Sequence, residues 1–314
     1  MRRCGARTWF LAILVGTFTH CCLAQDLAPR AYLITPLHSN AITLTWSFYD
    51  GSIDYNGALP VADATGKYGV PVFSYYHSFA LFGRSANVVA SLPYGIGTFQ
   101  GTAMSGESNL YRSGLLDSVF RFSVNLKGGP AMQPQKFTKW KQKILLGASL
   151  KVMAPTGQYD PPRLINWGSN RWAFKPELGY SQRWRNWVVD GYGGAWFFTT
   201  NSSFLSNNSY SSGTHSQSQN PMFALEGHLS YDFKPRLWIS LDSNFWLGGK
   251  LIVDGVENPL TRQENSRIGG TAAFPVSRHQ SLKVSYSDGA YIRYGGNYKN
   301  VSVAWQYSWL GRPN

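Results

Sequence analysis

Cysteine is confined to the start of this 314-residue chain: Cys4, Cys21 and Cys22 are its only three. Everything after them lacks disulfides, cysteine-held metal sites and thiol catalysis, which separates the chain from small secreted domains held by cross-links. Long apolar runs are missing too. No stretch after the leader approaches 18 continuous apolar residues, so membrane helices are excluded. Acidic residues are few, 16 against 29 Lys and Arg, giving a formal charge of +13. The cations are dispersed rather than gathered into a stripe, which argues against a nucleic-acid partner. Phosphate loops, HExxH, GxSxG and CxxC elements are all absent, and with them the usual enzyme signatures. Nothing calls for a cofactor or a metal.

What the chain does have begins with a leader. Arg2, Arg3 and Arg7 form a basic region, and Trp9 to Phe18 is an apolar stretch too short to span a bilayer. Cys22 and Ala24 are small residues at −3 and −1 of a cleavage after Ala24, so residues 1–24 read as a signal peptide and 25–314 as one domain. Removal takes away three arginines and no acid, leaving 290 residues at +10. A basic rim against anionic lipid headgroups, or a basic lumen, accounts for that charge.

The exported chain is rich in aromatics, with 12 Trp, 18 Tyr and 18 Phe. They sit in alternating segments. In Ala41 to Tyr49, Ile42, Leu44, Trp46 and Phe48 point one way and Thr43, Thr45, Ser47 and Tyr49 the other. Val301 to Trp309 repeats the pattern. Between them we read Val70–Phe82, Ser85–Leu92, Leu115–Lys127, Gln142–Ala154, Trp172–Trp184 and Trp187–Thr200. Phe223–Phe233, Leu237–Gly248, Asn265–Val276 and Gln280–Asp288 follow. Twelve strands, an even number, suit a closed antiparallel transmembrane β-barrel with both termini on the periplasmic side.

Connection length is an independent check. Gly83-Arg84, Arg185-Asn186, Lys234-Pro235-Arg236 and Ser277-Arg278-His279 are tight turns, and each follows an even-numbered strand. Long loops such as Asp50–Tyr68 and Ser202–Asn220 follow odd-numbered ones. Short turns on one rim and long loops on the other are the barrel asymmetry. Gly128–Lys141 breaks the parity as a long even-to-odd connection; if it or Gly51–Gly69 held strand, the count would reach fourteen. A soluble β-sandwich would favour Val and Ile on one buried face, whereas here Trp gathers near strand ends, as in an interfacial girdle.

Three neighbouring motifs and several further segments carry a family resemblance. Ala154-Pro155-Thr156-Gly157-Gln158-Tyr159-Asp160-Pro161 precedes Asn166-Trp167-Gly168-Ser169-Asn170-Arg171-Trp172, and Lys175-Pro176-Glu177-Leu178-Gly179-Tyr180 follows. With Ser230-Tyr231-Asp232-Phe233, Gly248-Gly249, Asn265-Ser266-Arg267-Ile268-Gly269 and Trp305-Gln306-Tyr307, the chain resembles the MetA-pathway of phenol degradation family of outer-membrane barrels. The resemblance implies a transporter or porin-like role for small aromatic compounds. One departure is the ending: Leu310-Gly311-Arg312-Pro313-Asn314 follows Trp309 where a terminal aromatic is usual, so the barrel-insertion machinery should read the last strand shifted inward.

By alternation, Asp117, Arg121, Lys175, Glu177, Asp190, Glu226, His228, Asp232, Asp242, Arg267 and Lys283 turn from lipid to lumen, because a lipid-facing charge costs about 2–4 kcal/mol for Arg or Lys at midplane. They either neutralise one another as a polar filling or line a permeation path. His228 and Ser230 share a face, and the turn at Lys234–Arg236 folds Asp242 back opposite His228, the makeup of a hydrolytic site. Leu225, Leu229 and Tyr231 occupy the lipid face, however, so this triple points inward. Ser202–Asn220 reads as a solvated loop, or as the binding element of an adhesive barrel. Pro155–Asn170, stiffened by prolines, is either a rigid cap or an inward-folding constriction presenting Tyr159, Arg163, Trp167 and Arg171. The expectation is an outer-membrane channel for small aromatic or hydrophobic solutes, with outer-membrane lipids around it; a lipid hydrolase and a structural or adhesive barrel are the alternatives.

Overall fold

A computed structural model of the chain describes residues 27–54, 62–103, 106–163, 165–207 and 212–311. The expected signal peptide and its cleavage site lie outside them. The barrel crossings are β1 (Ser39–Asp54), β2 (Ala62–Leu81), β3 (Arg84–Ala103), β4 (Gly106–Leu115) with β5 (Ser118–Lys127), β6 (Ile144–Ala154), β7 (Ala173–Trp184) and β8 (Trp187–Phe198). They continue, past the short β9 (Gln217–Gln219), with β10 (Met222–Lys234) and β11 (Leu237–Gly248). After β12 (Leu251–Val253) and β13 (Val256–Asn258) come β14 (Gln263–Pro275), β15 (Gln280–Ile292) and β16 (Gly295–Leu310). Neighbours pair antiparallel in chain order, and β1 pairs with β16 from Ser39↔Leu310 to Asp54↔Gly295, which closes the cylinder. β4 and β5 both pair with β3, β4 along its far half and β5 along its near half, so together they make one crossing broken at Leu116–Asp117. That gives the expected twelve crossings.

Polarity is inverted relative to a soluble protein. Leu44, Trp46 and Phe48 are 50%, 42% and 57% exposed on the outside, while their neighbour Ser47 is 8% exposed. Apolar side chains toward hydrocarbon and polar ones toward the lumen are the arrangement a membrane imposes on a two-residue repeat.

Turn chemistry fixes the short-turn rim. Phe82 and Gly83 both have positive φ (48° and 75°), the backbone of a two-residue hairpin whose twist matches its strands. Arg185 (φ 54°) and Arg236 (φ 67°) serve the next two hairpins. Asp50–Tyr68 differs from the expected loop: β1 runs to Asp54 and β2 starts at Ala62, so its described residues extend existing strands. The Gly128–Lys141 connection holds only a one-turn helix, α1 (Pro134–Phe137). Both ways to fourteen strands fall away.

Gly128 has φ +81°, and an added Cβ would lie 1.8 Å from the Ile144 carbonyl oxygen. Alanine there strains the backbone and drives Ile144 from its ladder position. We expect Gly128→Ala to lower stability by about 1–3 kcal/mol or more, read as a lower temperature for loss of the compact, heat-modifiable gel form.

Candidate functional site in the barrel lumen

Inward side chains follow directly from strand parity. Arg121, Lys175, Glu177, Asp190, Glu226, His228, Asp232, Asp242 and Arg267 all turn inward; Asp117 stands at the β4–β5 break. Lys283 lies opposite the inward Ala273 and Ala304 and stays exposed near the short-turn rim.

What sequence reasoning missed is the segment that meets them. Residues 27–38, just before β1, run inside the barrel. Tyr32 is 1% exposed, and its ring fills a notch left by Gly147 and Gly179, an inward pair directly opposed on β6 and β7. An added Cβ at either glycine would lie 2.3 or 2.1 Å from that ring. The opposed glycines were a readable sign that something fills this place, although not which segment. Tyr32 donates to Glu177 Oε1 (2.9 Å) and shares a hydrogen bond with Ser149 (2.9 Å). The Ala31 amide donates to the Tyr192 hydroxyl (3.0 Å), and its carbonyl accepts from Arg121 (3.1 Å). Arg30 pairs with Asp232 at 2.7 Å and lies 4.3 Å over the Trp238 ring.

The remaining charges neutralise one another. Lys175 Nζ lies 2.5 Å from Glu177 and 2.8 Å from Glu226; Arg183 joins Asp232 at 2.5 Å. His228 Nδ1 is 2.9 Å from Asp242, whose other oxygen accepts from Thr271 (2.7 Å), and Nε2 faces Glu226 at 3.8 Å. Arg267 donates to Ser287 at 3.0 Å. The polar-filling reading of these residues thus has its geometry. The hydrolytic triple lacks its central link, because Ser230 Oγ has no hydrogen-bond partner among the described residues and a nucleophile needs its base within about 3 Å.

Toward the long-loop rim the lumen turns apolar. Ile53, Tyr68, Val70, Phe99, Leu116, Ile165 and Tyr298 form one buried cluster, with Tyr49 and Trp167 packed against it. Tyr49 stacks on Tyr68 at 4.7 Å, and Trp167 stands 5.8 Å from Phe99 and 5.9 Å from Tyr68. Ile165 and Trp167 belong to the 155–170 loop, which therefore folds into the barrel mouth. Gly95 supplies the room, since a Cβ there would lie 2.5 Å from the Trp167 ring.

Asp117 holds this loop. It accepts from the Gly157 amide (3.0 Å), the Ser169 amide (2.9 Å) and the Ser169 hydroxyl. Tyr159 bonds Asn201 (2.8 Å) and Ser203 (3.3 Å), while Arg163 closes on Asp160 (2.7 Å) at the surface. Arg171 is buried, donating to Gln219 and lying 4.6 Å from the Phe198 ring. Its burial pulls the guanidinium down to about 9, with Asp117 pulling the other way.

The Ser202–Asn220 stretch is not simply solvated. Phe204, Leu205, Ser206 and Gln217 are buried, and β9 pairs with β12, which pairs in turn with β13, in a separate three-stranded sheet. Its Ser and Asn content suggested solvent, but Gln217 and Gln219 occupy ladder and hydrogen-bond positions instead. Replacing Asp117 by Ala leaves the Gly157 and Ser169 amides without their acceptor, while the Ser169 hydroxyl keeps the Arg171 carbonyl. We expect the 155–170 loop to become sensitive to brief proteolysis while the heat-modifiable barrel persists; unchanged resistance would contradict the clamp.

The chain matches the family "Putative MetA-pathway of phenol degradation" over residues 50–298. It is similar in fold to the COG4313 outer membrane channel from Pseudomonas putida F1, at 18% identity and TM-score 0.73, covering 90% of this chain and 100% of that one. It is also similar to the transport unit of the autotransporter AIDA-I from Escherichia coli, at 9% identity and TM-score 0.52, covering 93% and 95%. No curated protein matches. The closed barrel and the extent of the family match place this chain in the phenol-degradation family of bacterial outer-membrane β-barrels.

Proposed function

We propose that this barrel is a gated channel for small aromatic or hydrophobic solutes. The observation that carries the reading is the division of its lumen. A solute arriving from outside meets an aromatic and aliphatic mouth built around Tyr49, Tyr68, Phe99, Trp167 and Tyr298. Offset and edge-to-face ring contacts suit an aromatic guest, each adding about 0.5–1.5 kcal/mol beyond burial. Below the mouth stands the segment around Tyr32, held by Glu177, Asp190, Tyr192 and Asp232. The family's name, with its reference to phenol, points the same way.

On this reading Trp167 and Tyr32 act at different levels. Trp167→Ala removes ring contacts at the mouth and should change the preference between aromatic solutes and sugars of similar size. Tyr32→Ala loosens the segment that fills the lumen and should raise conductance to all small solutes. Swelling of liposomes containing refolded protein, with a matched solute panel, measures both. Equal rates for both variants and the parent across that panel would end the reading.

His228 separates the channel from the hydrolase. Substituting Ala leaves buried Asp242 with Thr271 but without its imidazole partner, which should destabilise the barrel by up to about 3–5 kcal/mol. Esterase activity on lipid substrates should stay at the background of empty liposomes for parent and variant alike. Hydrolysis by the parent that vanishes in His228→Ala would restore the enzyme reading.

A further inference from the structure

The two rims carry unlike charge. On the short-turn rim, which is the periplasmic one in an outer-membrane barrel, Arg84, Lys127, Arg185, Lys234, Arg236 and Arg278 are exposed, at least one at each connection. The 128–143 connection adds Lys136, Lys139, Lys141 and Lys143, all exposed. No acid occurs in the sequence between Asp117 and Asp160. The acid among the described residues at this rim is Asp232, which faces inward and is occupied by Arg30 and Arg183. At the opposite rim acids and bases alternate and pair, as in Lys67–Asp50, Lys250–Glu257 and Arg293–Glu264.

Placement says what the cations meet. Trp184 (69% exposed), Phe233 and Phe274 face outward just inside the same turns, so the basic ring lies one step beyond an aromatic belt, at headgroup depth. The 133–143 arm repeats the pairing on a small scale. Phe137 and Trp140 stack at 5.9 Å, half-exposed among the four lysines, and α1 buries none of its residues. Basic residues interleaved with half-exposed aromatics suit a membrane interface. A soluble acidic protein would be met by a patch on one side, whereas these cations encircle the barrel.

We propose that the periplasmic rim binds anionic phospholipid headgroups of the inner leaflet, with the 133–143 arm as its principal contact. Lysine and arginine ammonium and guanidinium groups pair with lipid phosphates, and the two rings of the arm seat it among the glycerol backbones. The proposal is independent of which solute the channel passes.

Native mass spectrometry of the full-length protein released from phosphatidylethanolamine and phosphatidylglycerol nanodiscs tests it, read as the ratio of the two lipids retained. Each basic residue near an anionic surface is worth about a fivefold preference. Lys136→Gln, Lys139→Gln, Lys141→Gln and Lys143→Gln combined should lower phosphatidylglycerol retention tenfold or more while the folded gel form remains. Lys67→Gln with Lys299→Gln, on the other rim, should leave it unchanged. The same ratio in parent and rim variant overturns the proposal and leaves an acidic soluble partner as the rim's reader. An equal fall in the control pair overturns it too, since the preference would then be a matter of total charge.

Discussion

In hydrocarbon a backbone amide has no water to turn to, and each unsatisfied group costs several kcal/mol. Closing β1 against β16 over their whole length removes the two edges that an open sheet would expose to lipid. Everything else is arranged around that closure. Once the ring is shut, every crossing has one face in lipid and one in the lumen, and each side chain's surroundings follow from parity. The prolines are fitted to it: Pro71 and Pro176 stand where the β2–β3 and β7–β8 pairings skip two positions, so ladder continuity is interrupted only locally.

Closure also creates a cavity that must be filled or wetted. The filling is split by chemistry. Near the extracellular mouth it is rings and aliphatics; deeper down it is ion pairs around an internal chain segment. A buried ion pair adds little net stability against an apolar replacement, yet losing one partner costs several kcal/mol. A network such as Lys175–Glu177–Glu226 with Tyr32 therefore fixes one position for the segment more than it strengthens the barrel. An apolar plug would slide among similar packings. Charge-assisted hydrogen bonds do not permit that, and they give the segment one defined place.

Much of this was legible because the barrel repeat is short and local. Alternation located every crossing, and parity turned the lumen candidates inward without any tertiary knowledge. Strand ends were harder. Asp50–Tyr68 holds three Gly and three Asp, which signal loops, but there the ladder continues beyond the membrane and its register outweighs propensity. Residues 27–38 were opaque for another reason: they have no periodicity, and their partners are scattered along the chain, from Tyr76 for Thr35 to Asp232 for Arg30. The role of Asp117 was hidden likewise. Parity gave its direction, while the loop amides it accepts from are fixed by a fold-back that spacing does not encode.

The charge asymmetry of the rims follows from the same topology. Short turns leave few positions per connection, and the connection positions with positive φ on that rim are held by Phe82, Gly83, Gly128, Arg185 and Arg236. The Arg236 guanidinium also donates to the Ser277, Arg278 and Gln280 carbonyls, so this cation ties two adjacent turns together while its charge stays at the rim. An acid could not do this work, since the exposed groups of a turn are largely carbonyls. Part of the basic character is thus architectural, set by carbonyls that require donors. Among the described residues, the lysines of the 133–143 arm serve no such carbonyls: α1 closes on its own backbone bonds, and Lys136, Lys139, Lys141 and Lys143 are exposed. Their charge has no structural use inside the barrel, which is why the arm rather than the turns carries the case for an external anionic partner.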